Sequence, residues 1–347
     1  MAADPTIYDI AKHAGVGIAT VSRVLNGSER VSPHTRSVVQ RAMSDLGFRP
    51  NRAARRLAVR GPNRPRVAAL MPLFSANFYF AVSEPLSKGL AEADLDLVLY
   101  NIQSRDDKNR VLDRLVREHS CEGLLLCSMG IGPERVAQFR SQGVPMVSLD
   151  FPIPGMPSVT VDNAAGAAKA TRQLQRTGAA QLGLISGPAA ALAFRQREEG
   201  FAAVAGGAAP VVRAEAVTIE AGRAAAAALL DAHPATDGIV TVNDLLAVGA
   251  LCEARARGRQ VPDELQIIGF DDQPLMEVIG MSTVRQPMGD FGSWAAQAIT
   301  TLLARPSAPP AAPVAVASAE LPLSLVLRAT TRPVAGGRRA GPRPAPG

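Results

Sequence analysis

The sequence predicts an all-α helix-turn-helix headpiece followed by an α/β body of two lobes with parallel sheets. Three observations predict it. Before residue 50, apolar residues recur at helical spacing in three short stretches. Beyond residue 65, short apolar runs alternate with amphipathic stretches, the pattern of βαβ units. Charge is also partitioned: residues 1–60 hold ten Lys/Arg against four Asp/Glu, while the rest of the chain carries 27 of each. A net charge of +6 confined to one end suits a polyanion-binding front on a neutral body.

In the headpiece, Ile7, Ile10, Ala11 and Ala14 form the stripe of a short amphipathic helix, which Gly15-Val16-Gly17 interrupts. Thr20, Val21, Val24 and Leu25 mark a second helix that Asn26-Gly27 ends. Two short helices joined by a tight Gly-containing turn can place the second one in a major groove. Ser32-Pro33 reads as an N-cap with proline at the first helical position. Val38, Val39, Ala42 and Leu46 then supply a buried stripe, with Gly47 as the stop.

These residues resemble the lactose-repressor (LacI/GalR) family of transcription regulators. The match runs through TIYDIAKHAGVGIATVSRVLN (residues 6–26), VSPHTR (31–36) and GFRPNRAARRLA (47–58). The resemblance makes 1–50 a DNA-binding domain and assigns Thr6, Gly17, Ile18, Ala19, Thr20 and Arg23 to its operator face. Ile18 and Ala19 can meet a thymine methyl but cannot hydrogen-bond a base edge, whereas the Arg23 fork can grip guanine O6 and N7. Tyr8, Ser22, Asn26, Ser32 and Thr35 become phosphate contacts, which set register without reading sequence. Gly17 departs from the family's usual Ser or Thr, so one phosphate-facing hydroxyl is lost.

Residues 51–65 are expected to form a hinge helix and linker. A helix this short is below the ~12–15 residues that persist alone in water, so it should order only when paired on DNA. By resemblance Leu57 is the minor-groove wedge, with Asn51, Arg52, Ala54 and Arg55 around it, and Arg56 adds a phosphate neutraliser.

The body, 66–331, shows apolar runs at 67–71, 97–100, 123–127, 146–149, 159–161, 182–185, 238–242 and 267–270. Amphipathic stretches at 109–118, 165–176 and 245–257 lie between them. A seam near residue 160 divides these into two lobes, the first about 66–160 and 290–318, the second about 161–289 and 319–331. A ligand cleft is expected between them, at the carboxyl ends of the strands. VTVDN, LISG, RQREEGF, VND, IGFDD, STVRQP and the closing LPLSLVLR look like segments of the same family's sensor domain, which shares the periplasmic sugar-binding fold. Strand-end polar groups are then pocket candidates: Asp150, Arg197, Asn243, Asp271 and Gln286, with Phe78 and Tyr79 as an aromatic pair for a sugar ring. Asp244 and Asp272 read as helix-start or turn carboxylates and Arg195 as a surface charge. Ala76-Asn77 and Pro85 depart from the family pattern, and Pro85 should kink its helix or remove a hydrogen bond.

Other chemistry finds no motif. Cys121, Cys127 and Cys252 make no C-x-x-C pair, which argues against a disulfide framework or a zinc site. Gly15-x-Gly17 and Gly130-x-Gly132 lack the third glycine of a dinucleotide loop, and the four histidines show no ligand spacing. No cofactor, metal or catalysis is expected. No apolar run reaches the ~18 residues of a membrane span and no leader is evident, so a cytoplasmic location is expected. The stretch 306–313 reads as a linker and 332–347 as a disordered basic tail without leucine heptads, which favours a homodimer over a tetramer. The expected function is a ligand-responsive regulator, a repressor binding a pseudo-palindromic operator, with a sugar or sugar-like effector. The alternative is a solute-binding module of sugar uptake, which would leave the basic headpiece unexplained.

Overall fold

The computed structural model describes residues 5–25, 31–46, 48, 64–72, 77–304 and 317–333. Three helices form the headpiece: α1 (Ile7–Ala14), α2 (Ile18–Leu25) and α3 (Pro33–Asp45). Gly15 takes a left-handed conformation (φ 63°), and its N–H closes α1 on the Ala11 carbonyl. At the start of α1, the Thr6 backbone N–H and hydroxyl both donate to Asp9 Oδ2 at 2.7 Å. Ile10, Ala11, Val21, Val24, Val31, Val39 and Ala42 make the small core, so the expected stripes face inward apart from the half-buried Thr20 and Val38. The sequence stop at Gly47 and the expected hinge residues Asn51, Arg52, Ala54, Arg55, Arg56 and Leu57 lie outside the described residues.

The body has two six-stranded sheets. The first contains β1 (Arg66–Met71), β2 (Asp96–Asn101), β3 (Gly123–Cys127), β4 (Met146–Leu149), β5 (Ser158–Val161) and β11 (Ala319–Leu321), in the order β11-β5-β4-β3-β1-β2. The second contains β6 (Leu182–Ser186), β7 (Val211–Arg213), β8 (Gly238–Thr241), β9 (Gln266–Asp271), β10 (Ser282–Arg285) and β12 (Ser324–Val326), in the order β12-β10-β9-β8-β6-β7. All pairings are parallel except β10 with β12.

Strand alternation splits the first sheet between two cores. Val67, Ala69 and Met71 face helices Asn77–Glu92 and Met288–Leu303, through Val82, Leu86, Leu90 and Phe291. Ala68 and Leu70 face helices Arg105–Glu118 and Pro133–Ser141, through Leu112, Leu115 and Phe139. Both faces are covered, which is why these strands read as continuous apolar runs.

One expectation is corrected. LPLSLVLR is not one strand: β11 belongs to the first sheet and β12 to the second, so the last crossing between lobes lies at Pro322-Leu323 and not at 318/319. Pro85 lies inside a helix, as expected, and that helix runs on to Glu92. Its ring faces Gly292 on the neighbouring helix, where any Cβ would meet the ring.

Candidate functional site

The exposed side of α2 is the first candidate. Ile18 is 43% exposed, Ala19, Gly17 and Arg23 are also exposed, and Thr20 and Ser22 are half-buried. Val21 and Val24, on the opposite side, anchor the helix to the core. Arg23 therefore stands one turn beyond Ile18 and Ala19 on the outer side, as the spacing predicts. Tyr8 on α1 is 66% exposed. Thr6, Ser32 and Thr35 have structural duties as well. Thr6 is tied to Asp9, whose carboxyl its hydrogen bonds hold below the ordinary range. The Ser32 hydroxyl accepts the Thr35 backbone N–H at 3.1 Å and lies 2.8 Å from the Thr35 hydroxyl, fixing the start of α3. Asn26 lies outside the described residues.

The second candidate sits where strand ends of the two lobes meet. Arg197, on helix Leu192–Ala205, is buried. Its Nε donates to Asn163 Oδ1 at 2.8 Å, and its Nη1 donates to the Val242 carbonyl at 2.6 Å and lies 3.5 Å from Asp271 Oδ1. The guanidinium stacks 3.6 Å from the centre of the Phe270 ring. Burial lowers its pKa, against the opposing pull of Asp271, Asp150 and Asp244.

Asp271, at the end of β9, gathers the rest. Gln286 Nε2 donates to its Oδ1 and Asn243 Nδ2 to its Oδ2, both at 2.7 Å. Burial raises its pKa, opposed by Arg197, Gln286, Asn243 and Gln273. Asn243 also caps helix Asp244–Ala256, accepting the Leu245 N–H at 2.7 Å.

The first lobe contributes Asp150, Ser128 and Tyr79. Ser128 Oγ donates to Asp150 Oδ2 at 2.8 Å, while Asp150 Oδ1 is buried with no partner among the described residues. Burial raises the Asp150 pKa, Asp271 adds to it, and Arg197 and Ser128 oppose it. Burial likewise pushes the Tyr79 phenol far up, with Cys127, Asp150 and Asp271 adding, so Tyr79 is a neutral donor beside both carboxyls. Gln286 Oε1 is another buried oxygen without a partner among the described residues. Ser128 (φ 54°), Asp150 (55°), Asp271 (119°) and Asp272 (59°) all hold left-handed backbone, strain concentrated at the strand ends facing the cleft.

The structure thus brings together Arg197, Asn243, Asp271 and Gln286 directly, with Asp150 and Tyr79 facing them. Phe78 is a correction. Its ring is 5% exposed and packs edge-on against Tyr79 and Phe291 at 5.2 and 5.8 Å, so it belongs to the first lobe's core. Ser128 and Asn163 were missed as site residues. Asn163 closes the VTVDN segment, a signal that was available; Ser128 carries none. Asp272, pinned by Arg285 and Arg328 at 2.6 and 2.7 Å, and Asp244, bonded by Thr283 and the Gln273 N–H, are structural as read. Arg195 is exposed and holds the Ala189 carbonyl at 2.8 Å. No helix among the described residues is long and apolar enough to cross a membrane.

Comparison with known proteins matches two family models. Residues 6–51 match "Bacterial regulatory proteins, lacI family", and residues 64–282 match "Periplasmic binding proteins and sugar binding domain of LacI family". The HTH-type transcriptional regulator CelR of Thermobifida fusca is 35% identical over 82% of this chain and 87% of its own length. The ribose operon repressor of Halalkalibacterium halodurans is 31% identical over 94% of this chain and 97% of its own. Among solved structures, a transcriptional regulator CelR–cellobiose complex superposes with a TM-score of 0.66 at 29% identity, covering 94% and 99% of the two chains. The lac repressor dimer bound to operator and the anti-inducer ONPF gives a TM-score of 0.67 at 22% identity over 95% and 99%, a likeness of fold.

Proposed function

The chain belongs to the LacI family of bacterial transcription regulators, and we propose that it is a cytoplasmic homodimeric repressor whose grip on a pseudo-palindromic operator answers to an uncharged, polyhydroxylated effector. Two copies of α2 would take the two half-sites. Ile18, Ala19 and Arg23 would read bases, while Tyr8, Ser22, Ser32 and Thr35 would hold phosphates. The hinge residues Asn51, Arg52, Ala54, Arg55 and Leu57 would pack together at the operator centre.

One observation carries the effector reading: Asp150 Oδ1 and Gln286 Oε1 are shielded acceptors without donors among the described residues, at strand ends between the lobes. A buried acceptor left unpaired costs about 1–3 kcal/mol, so a ligand that donates to both is favoured. Sugar hydroxyls do this, and the Tyr79 ring offers an apolar flank. An anionic effector is disfavoured. Arg197 already serves Asn163, Val242 and Asp271, and Asp150 and Asp271 would repel a phosphate or carboxylate. The relatives are regulators, and binding rather than turnover is the proposed output. Occupancy shifts the balance of lobe arrangements, and operator DNA must change effector affinity by the same factor.

A thermal-shift panel tests this, with cellobiose, ribose and other neutral sugars set against their phosphorylated or acidic counterparts. A cognate neutral sugar at a hundredfold excess over its Kd should raise Tm by on the order of 5 °C, and Asp150→Ala should abolish the shift. A shift from acidic sugars only, or one indifferent to Asp150→Ala, refutes the reading.

A further inference from the structure

The chain passes between the lobes three times: at Asp162, between β5 and helix Asn163–Arg176; at Gln286-Pro287, between β10 and helix Met288–Leu303; and at Pro322-Leu323, between β11 and β12. The first two passages run into the same polar cluster, and the third packs beside it. Asn163, the first residue after the first crossing, accepts the Arg197 Nε–H, and its own amide donates to Gln196 Oε1 at 3.1 Å. Gln286, on the second crossing, binds Asp271 twice: its side chain donates to Oδ1 at 2.7 Å and its backbone N–H to the Asp271 carbonyl at 3.2 Å. Leu323, on the third, packs against the cores of both lobes. It shares with the Phe270 ring the space that Gly166 leaves open, where an added Cβ would lie 2.6 Å from Leu323 and 3.0 Å from Phe270. Phe270 is the ring on which Arg197 stacks.

We infer that Asn163 and Gln286 are positioning residues that fasten the first two crossings to the Arg197–Asp271 pair, while Leu323 ties the third to it through the Phe270 ring under Arg197, so that the angle between the lobes is set at the floor of the cleft. This rests on the reading of the cleft as an effector site, which gives the lobe angle its use. A ligand that donates to Gln286 Oε1 pulls on the second crossing directly. One that competes for Asp271 or Arg197 releases Gln286 and Asn163 together. Two residues outside the strands thereby couple segments separated by more than 100 positions in sequence.

Hydrogen exchange on the full-length, ligand-free protein tests the inference, and because no effector is added, its failure is separable from failure of the effector reading. Asn163→Leu removes the acceptor for Arg197, Asn163→Asp keeps it, and Gln286→Met removes the donor to Asp271. Asn163→Leu and Gln286→Met should each speed exchange in peptides spanning all three crossings by about tenfold, the scale of one buried hydrogen bond. Peptides from β1 and helix Ile219–Ala232 should stay at the parent rate, and Asn163→Asp should behave as the parent. Acceleration confined to the substituted crossing overturns the inference, as does an even rise across the body or an Asn163→Asp protein that exchanges like Asn163→Leu. If Asn163→Leu does not fold, the Gln286→Met and Asn163→Asp pair decides alone, by the same criteria.

Discussion

Asp150 is a carboxylate held in left-handed backbone with one oxygen unpaired, and the fold is less stable for it. Its pKa is raised in the folded protein, so the folded state binds its proton more tightly than the unfolded chain does. Stability from this residue is present at low pH and is lost as pH rises from about 4 through the raised value. Asp150→Asn removes the titration and can still accept from Ser128. The variant should therefore gain Tm relative to the parent as pH increases from about 4 to 7, with no gain at the acid end; a difference independent of pH would contradict the assignment. On the headpiece, Arg23→Ala should weaken operator binding by about 1–3 kcal/mol and relax selectivity at one base pair, as read by anisotropy against single-base operator variants. At this scale the sequence was informative where a polar residue ended an apolar run, as with Asp150, Asn243 and Asp271; Arg197, on a helix, and Gln286, after Arg285, were legible only through the family's segments. It was uninformative about Phe78 and Tyr79: adjacent helical residues point in different directions, and only the packing of Phe291 shows which ring is core.

Among elements, the helix pair Asn77–Glu92 and Met288–Leu303 shows how one local rule is broken and accommodated elsewhere. Pro85 removes a helical donor, and its ring needs room that Gly292 supplies. The two backbones approach closely at that point: a Cβ on Gly292 would also overlap the Val82 carbonyl oxygen. Gly292→Ala should therefore cost about 1–3 kcal/mol through overpacking, measured by urea unfolding. Adding Pro85→Ala should not restore it, because the carbonyl obstructs as well as the ring. Seven of the eight apolar runs were legible as strands because they are buried almost throughout; the eighth, on edge strand β2, stays apolar although only part-buried. β7 was not legible: it is a three-residue edge strand and only part-buried. LPLSLVLR misled for the reverse reason. Its apolar alternation is continuous although the chain changes sheets at Pro322, and a periodic pattern records that residues are buried without recording in which core.

Over the whole molecule, the division of charge makes a prediction that separates the two binding events in one protein. The front sixth of the chain holds the entire net charge of +6, while the body is balanced at 27 against 27. Within the body, exposed arginines are largely matched locally, as Arg257 is by Asp231 and Glu253 and Arg213 is by Glu198. Operator binding through the front end should release counterions from DNA, so its affinity should fall steeply with salt, with a log–log slope of about −0.9 per phosphate neutralised. Effector binding should barely respond, because the cleft charges are shielded from solvent and the favoured ligand carries none. Titrating operator and a bound neutral sugar across about 50–200 mM salt reads both slopes from the same preparation. A steep slope for the sugar would mean that an ionic contact sits in the cleft, and a flat slope for the operator would mean that the basic front does not engage phosphates. With the expected contrast, salt becomes a tool: it tunes operator affinity while leaving effector occupancy fixed, so the coupling between the sites can be measured at any chosen operator strength.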